Sequence, residues 1–175
     1  MKNLAIRYLL VTGCCAFIIG CGGGGAAVKS RQPQVAHEPR SVQGYGLTVV
    51  VNNCQKSGSD VNCHYVVTSE GRDRSWAIYI GDGWQGRITN VYDDLGNEYK
   101  VAAAMIGNQV NKLGKWSNIV ADVPTAGVIT INNVNTKAIT IKKIKMVTSV
   151  KLREADYNNY DLFSPDFPDI PITAP

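Results

Sequence analysis

The sequence predicts an all-β domain, a two-sheet sandwich of about seven short strands, and three observations carry that reading. Short runs rich in Val, Ile and Thr alternate apolar and polar residues with period two, which suits half-buried strands. Clusters of Gly, Asn and Asp interrupt these runs roughly every 8–12 residues. Helical spacing is weak and confined to residues 101–112 and 153–160. A chain of 175 residues has room for one such domain with tails. Four segments are expected: residues 1–20 as an export signal, 21–44 as a disordered tether, 45–153 as the β domain, and 154–175 as an extended acidic, Pro-rich tail.

The amino terminus has three parts. Lys2 and Arg7 come first, a 13-residue apolar run over residues 8–20 follows, and small residues close it. The run is long enough for a signal core and too short to span a bilayer. It ends Ile18-Ile19-Gly20-Cys21, which resembles the lipobox of bacterial lipoproteins. That resemblance implies diacylglycerol on the Cys21 thiol, cleavage before Cys21 and a further acyl chain, such as palmitate, on the new amino terminus. Two or more chains anchor stably where one does not. A rival lipobox, Val11-Thr12-Gly13-Cys14, leaves a core of only five residues, so Cys21 is preferred. Gly22, where an Asp would retain a lipoprotein in the inner membrane, resembles the outer-membrane pattern if the host is Gram-negative.

Residues 22–44 read as a flexible tether, from the run of four glycines to a Pro-bearing polar stretch without apolar period. Its r.m.s. reach is on the order of 25–30 Å. Removing Lys2 and Arg7 from the 18 basic residues leaves 16 against 14 acidic ones, so bulk charge gives no case for nucleic acid.

Of five cysteines, signal removal takes Cys14 and Cys15 and lipidation takes Cys21, leaving Cys54 and Cys63 in an oxidising compartment. Two strand-like runs flank Ser57-Gly58-Ser59-Asp60. If Gly58-Ser59 is a two-residue turn with Gly at positive φ, pairing places Cys54 opposite Cys63. That is a non-hydrogen-bonded pair, close enough for a disulfide. The alternation of Leu47, Val49 and Val51 conflicts with this register unless a bulge falls at Asn52-Asn53.

Later strands are expected at residues 76–80, 88–92, 98–106, 117–123, 128–132 and 138–152, the last with a bulge at Lys142-Lys143 because its apolar parity switches. Tyr65-Val66-Val67-Thr68, Asp94-Leu95-Gly96-Asn97-Glu98-Tyr99, Val120-Ala121-Asp122-Val123-Pro124 and Ile139-Thr140-Ile141 resemble pieces of the telokin-like, immunoglobulin-like domains of bacterial lipoproteins. The resemblance spans residues 47–150. It implies an immunoglobulin-like extracellular accessory or binding domain without shared catalytic residues, and so speaks to fold more than to function.

Chemistry is sparse. His37 lies in the tether and His64 in the first hairpin, and no nucleophile-elbow, zinc-protease or phosphate-loop pattern occurs, so no catalytic residue, metal or cofactor is assigned. Asp93, Asp94, Asn97 and Glu98 either bind Ca²⁺ or satisfy their own turn, and the spacing departs from an EF-hand. Trp84, on the Gly-rich run of residues 81–86, and Trp116 are candidate contact residues, or else they cover the core. The lysines of residues 137–151 are a contact surface or a solvated face offset by the acidic tail. The tail lies on a partner or is disordered. Together these readings expect a non-enzymatic, lipid-anchored envelope protein that binds another envelope protein. It would be an accessory of a secretion, conjugation or surface assembly. The alternative is a small-ligand or glycan receptor using the Trp84 loop.

Overall fold

A computed structural model of the chain describes residues 40–81, 86–111, 115–151 and 159–174, all within the unit Ala36–Pro175. The described residues are all-β. The strands are β1 (Arg40–Gly44), β2 (Leu47–Ser57), β3 (Asp60–Ser69), β4 (Arg74–Ile78), β5 (Asn90–Asp93), β6 (Glu98–Ile106) and β7 (Gln109–Asn111), followed by β8 (Ser117–Ile119), β9 (Thr125–Ile131), β10 (Thr140–Lys145), β11 (Thr148–Lys151), β12 (Asp161–Phe163) and β13 (Asp166–Thr173).

The β2–β3 hairpin forms in the expected register, with Ser57 opposite Asp60 and Cys54 opposite Cys63. Gly58 supplies the positive φ of the turn. Val51 pairs with Tyr65 and Asn53 with His64, so Asn52 is the extra residue of a bulge. The bulge moves the buried parity from Val49 and Val51 to Cys54, which aims all three inward. A second bulge at Lys142 does the same for Ile141 and Ile144.

The two-sheet immunoglobulin-like arrangement needs correction. Seven strands pair in the order β2-β13-β10-β5-β6-β9-β3, and β3 pairs back to β2, closing a ring. A ring with an odd number of strands cannot alternate direction all the way round. One neighbour pair must be parallel, and it is β13 with β2, through Ile172–Cys54 and Thr173–Gln55. The closing strand comes from the segment expected to be a tail: Phe167 and Ile170 are buried in the core. Its prolines are tolerated because, over residues 166–171, β13 has a ladder partner only in β10. The tether boundary moves too, since β1 pairs with β2 from Arg40 onward.

A four-stranded sheet, β12-β11-β4-β8, lies beside the ring. The single strand expected over residues 138–152 is divided between the two sheets as β10 and β11, and Ile139 precedes it, largely exposed. Trp76 on the inner face of β4 meets Tyr65 of β3 edge-on, ring centroids 5.8 Å apart. Both belong to the common apolar core. The lysines of β10 face their offset directly, Lys142 with Asp169 and Lys143 with Asp166, each at 2.6 Å. That is the solvated-face reading, with the pairs exposed and so worth little individually.

Candidate functional site: the apolar loop end of the barrel

Four connections meet at one end of the molecule: the β1–β2 turn, the β3–β4 loop, the β6–β7 turn and the β8–β9 loop. In the first, Tyr45 and Gly46 both have positive φ, 52° and 65°, the geometry of a tight hairpin turn. A bulky aromatic rarely sits there. Its ring rests edge-on against Phe163 of β12 at 6.0 Å while half its surface stays open.

Arg74 ties these loops together. It lies on the inner face of β4 with Trp76, buried, and its Nη1 donates to Ser69 Oγ at 2.6 Å and to the Glu70 carbonyl at 2.9 Å. Burial, and then neighbouring Arg72, lower its pKa from the ordinary value, while Glu70 draws it back up. The Glu70 N–H donates to Gly46 O, linking the β1–β2 turn. Asp122, at φ 57°, joins the β8–β9 loop: its N–H donates to Ser69 O at 2.7 Å and its Oδ1 accepts from Gly71 N at 3.1 Å. Asp73 Oδ1 accepts from Ala121 N at 2.8 Å. Beside it, Gly107 N donates to Ala126 O, fixing the β6–β7 turn against β9.

On this braced frame stand Tyr45, Val120 and Val123, with the cross-strand pair Met105 and Val110 adjoining. They are five of the eight large apolar side chains left exposed among the described residues. All five stand on or beside connections at the same end of the barrel, and exposed apolar side chains concentrated on one end are a contact signal that singly scattered ones are not. Neither Tyr45 nor Arg74 was singled out from sequence. The available signals were the Tyr-Gly hairpin dipeptide and the shared parity of Arg74 and Trp76.

Of the residues expected to matter, Cys21 and Trp84 lie outside the described residues. Cys54 and Cys63 form a disulfide, Cα atoms 4.0 Å apart and both side chains fully buried. Trp116 packs over the outer face of the four-stranded sheet, against Tyr160 at 6.2 Å with Lys151 Nζ 4.3 Å from its ring centroid. Arg87 adjoins it, donating to Tyr160 Oη at 2.9 Å. Ala77, Ser149 and Lys151 of the same sheet are buried.

The acidic turn satisfies its own backbone. Asp93 Oδ1 accepts from Leu95 N and Asn97 N, and Oδ2 from Asn97 Nδ2 and Tyr99 Oη, all within 2.9 Å. Burial raises the Asp93 pKa, yet these hydrogen bonds outweigh it and hold the carboxyl below its ordinary value. Among the described residues no group of three or more His, Cys, Asp or Glu side chains is placed to hold a metal ion.

No protein-family model matches the chain, and no curated protein sequence matches it. Among solved structures it is similar to AvmM, whose structure is described as catalysing macrocyclization in alchivemycin A biosynthesis. The identity is 7%, over 76% of this chain and 96% of that one, with a TM-score of 0.28. A family 123 glycoside hydrolase from Clostridium perfringens is 10% identical over 66% of this chain and 22% of that one, with a TM-score of 0.23. Likenesses at this level carry no argument about this chain.

Proposed function

We propose that the protein is a lipid-anchored envelope component whose barrel binds another envelope protein through its apolar loop end. The observation carrying the binding half is that Tyr45, Val120, Val123, Met105 and Val110 stand exposed at the same end, where hydrogen bonds join the β1–β2, β3–β4 and β8–β9 connections to one another. Rigid loops lose little entropy on docking, and half-exposed apolar tips supply the area that a partner buries. The anchoring half rests on Ile18-Ile19-Gly20-Cys21 behind a charged, apolar leader, and the Cys54–Cys63 disulfide suits an oxidising compartment. The telokin-like kinship rests on the strand pieces alone and draws no added support from the closed ring.

Cells expressing the protein with a photo-crosslinker at Val123 test both halves. The expected outcome is one discrete crosslinked species in the membrane fraction, lost in a Val120→Asp/Val123→Asp double variant that folds normally. Palmitate labelling should disappear in Cys21→Ser. A diffuse crosslink pattern that the double variant leaves unchanged would remove the binding reading, labelling that survives Cys21→Ser would remove Cys21 as the acylated residue, and absence of labelling in the unaltered protein would remove the anchor.

A further inference from the structure

We propose that the opposite end of the barrel carries a binding site for a neutral oligosaccharide, in the depression between the β5–β6 turn and the loop leaving β9. This site is separate from the apolar loops and stands whether or not they bind a protein. The depression is open, of about 440 Å³, and lined by Asn97, Glu98, Tyr99, Asn133 and Asn135. Its size falls within the range of roughly 300–1,000 Å³ typical of small-molecule sites.

The lining decides the ligand class. The Asn133 carboxamide offers its full set of two N–H donors and a carbonyl acceptor, while Asn97 Nδ2 already donates to Asp93, Asn135 Oδ1 already accepts from Lys137 N and Glu98 Oε1 from the Tyr92 hydroxyl, leaving each of these three groups part of its capacity. A sugar hydroxyl both donates and accepts, so a carboxamide can serve two neighbouring hydroxyls at once. A phosphate or carboxylate ligand would meet Glu98 with no Lys or Arg in the wall. A hard divalent cation needs six to eight oxygen ligands, usually with several carboxylates, and here finds one carboxylate. An apolar ligand would strip water from amides and give nothing back.

The walls are also built in advance. Tyr99 Oη donates to Asp93 Oδ2 at 2.8 Å and accepts from Asn135 N at 3.1 Å, which locks one wall to the other. Asn97 is held by both Asp93 oxygens. Asn133 stands at φ 55°, its N–H donating to Asp60 Oδ1 at 3.1 Å, and Val134 N donates to Ser59 O. The backbone is thus tied down while the Asn133 side-chain amide makes no hydrogen bond within the described protein. A site of this kind spends little affinity on ordering itself.

Titration of the ¹⁵N-labelled full chain in detergent with cellotriose, maltotriose and tri-N-acetylchitotriose tests the proposal. Saturable shifts of the Asn97, Asn133 and Asn135 side-chain amides are expected for at least one sugar, with a dissociation constant of about 1 mM or tighter. A Glu98→Ala/Asn133→Gly double variant, in which Gly keeps the positive φ, should weaken binding about tenfold or more, equivalent to losing one or two hydrogen bonds. Absence of shifts with all three sugars overturns the proposal, as do shifts given by CaCl₂ and by no sugar. If the double variant fails to fold, a spin-labelled sugar should broaden the Asn133 amide of the unaltered chain, and broadening elsewhere overturns the site.

Discussion

The guanidinium of Arg74 lies directly against the backbone of Gly46, so that a Cβ added at residue 46 would strike Nη1, Nη2 and Cζ. Two independent constraints therefore hold this glycine: the positive φ of the turn and a buried side chain whose Nη1 would have to leave its hydrogen bonds to Ser69 and Glu70 to make room. Gly46→Ala should destabilise the domain by about 2 kcal/mol or more, since the left-handed conformation alone costs roughly 1–2 kcal/mol for a residue with a Cβ. Gly58→Ala is the control. Its φ is similarly positive, but nothing stands within 4 Å of the added carbon. Urea unfolding of the pair should show the larger loss at residue 46. Equal losses would mean that Arg74 gives way.

The Cys54–Cys63 bridge closes a loop across a sequence separation of nine residues. A loop that short is worth about 2–3 kcal/mol in the chain-entropy account. Because both sulfurs lie in the core, mild reductant should leave the native bridge intact, and a Cys54→Ala/Cys63→Ala variant should lose stability by that amount. Labelling of free thiols after brief dithiothreitol treatment, with and without urea, measures the first claim. Rapid labelling of the native protein would contradict it.

How much of this was legible in the sequence depended on whether the deciding partner was local. The first hairpin was readable because Gly58, the cysteine spacing and the apolar parity all constrain one register, bulge included. The same holds for the bulge at Lys142, announced by the parity change between Ile141 and Ile144. The closing strand was not readable. Pro168 and Pro171 argue against an interior strand, and only the lack of a second ladder partner for β13 over residues 166–171, a fact of tertiary pairing, makes them acceptable, while Pro165 precedes the strand. The apolar loop end was equally hidden. Tyr45, Val110 and Val123 are far apart in sequence, and only the ring brings their loops to one end. In the polar depression Asn97 was noticed as a turn residue, while Asn133 and Asn135 come from a loop whose position depends on the Tyr99 hydroxyl.

Asp93 makes the fold acid-sensitive. Its carboxyl titrates below the ordinary value in the folded protein, so over the interval between the two values the unfolded chain binds more protons. The stabilisation is complete above the unfolded value near pH 4 and is lost as pH falls through the folded value. Asp93→Asn replaces two acceptor oxygens by one and sets an N–H₂ against the donors Asn97 Nδ2 and Tyr99 Oη. It should cost about 1.5–3 kcal/mol at pH 7, as expected for hydrogen bonds to a charged group. Its stability should also vary less than wild type between pH 5 and pH 2, both limits being about those of carboxylate titration. Thermal melts across that interval give the comparison, and parallel curves would assign the acid sensitivity elsewhere.

The carboxyl-terminal strand is the strongest test of the ring. If residues 166–173 were an appended tail, Phe167→Ala would change little. In the ring, Phe167 is fully buried and pairs with Ile144 of β10, so its truncation should cost about 3–5 kcal/mol. Phe163→Ala would be ambiguous, because that ring also supports Tyr45. Removing residues 172–175 probes the seam separately. It deletes both parallel pairs to β2, the Thr173 hydroxyl that donates to Cys54 O at 3.2 Å, and the Ile172 N–H that donates to Ile139 O. The β10–β13 ladder would remain, so the expected product is a folded but opened sheet, with fast amide exchange at Cys54, whose N–H faces away from β3 in its non-hydrogen-bonded pair with Cys63, and protection retained at Gln55, Ile141 and Ile144. Hydrogen exchange read by NMR separates the outcomes: unchanged protection along β2 would mean that the ring is held shut by its core alone, and global loss would mean that the parallel seam is needed for the domain to fold.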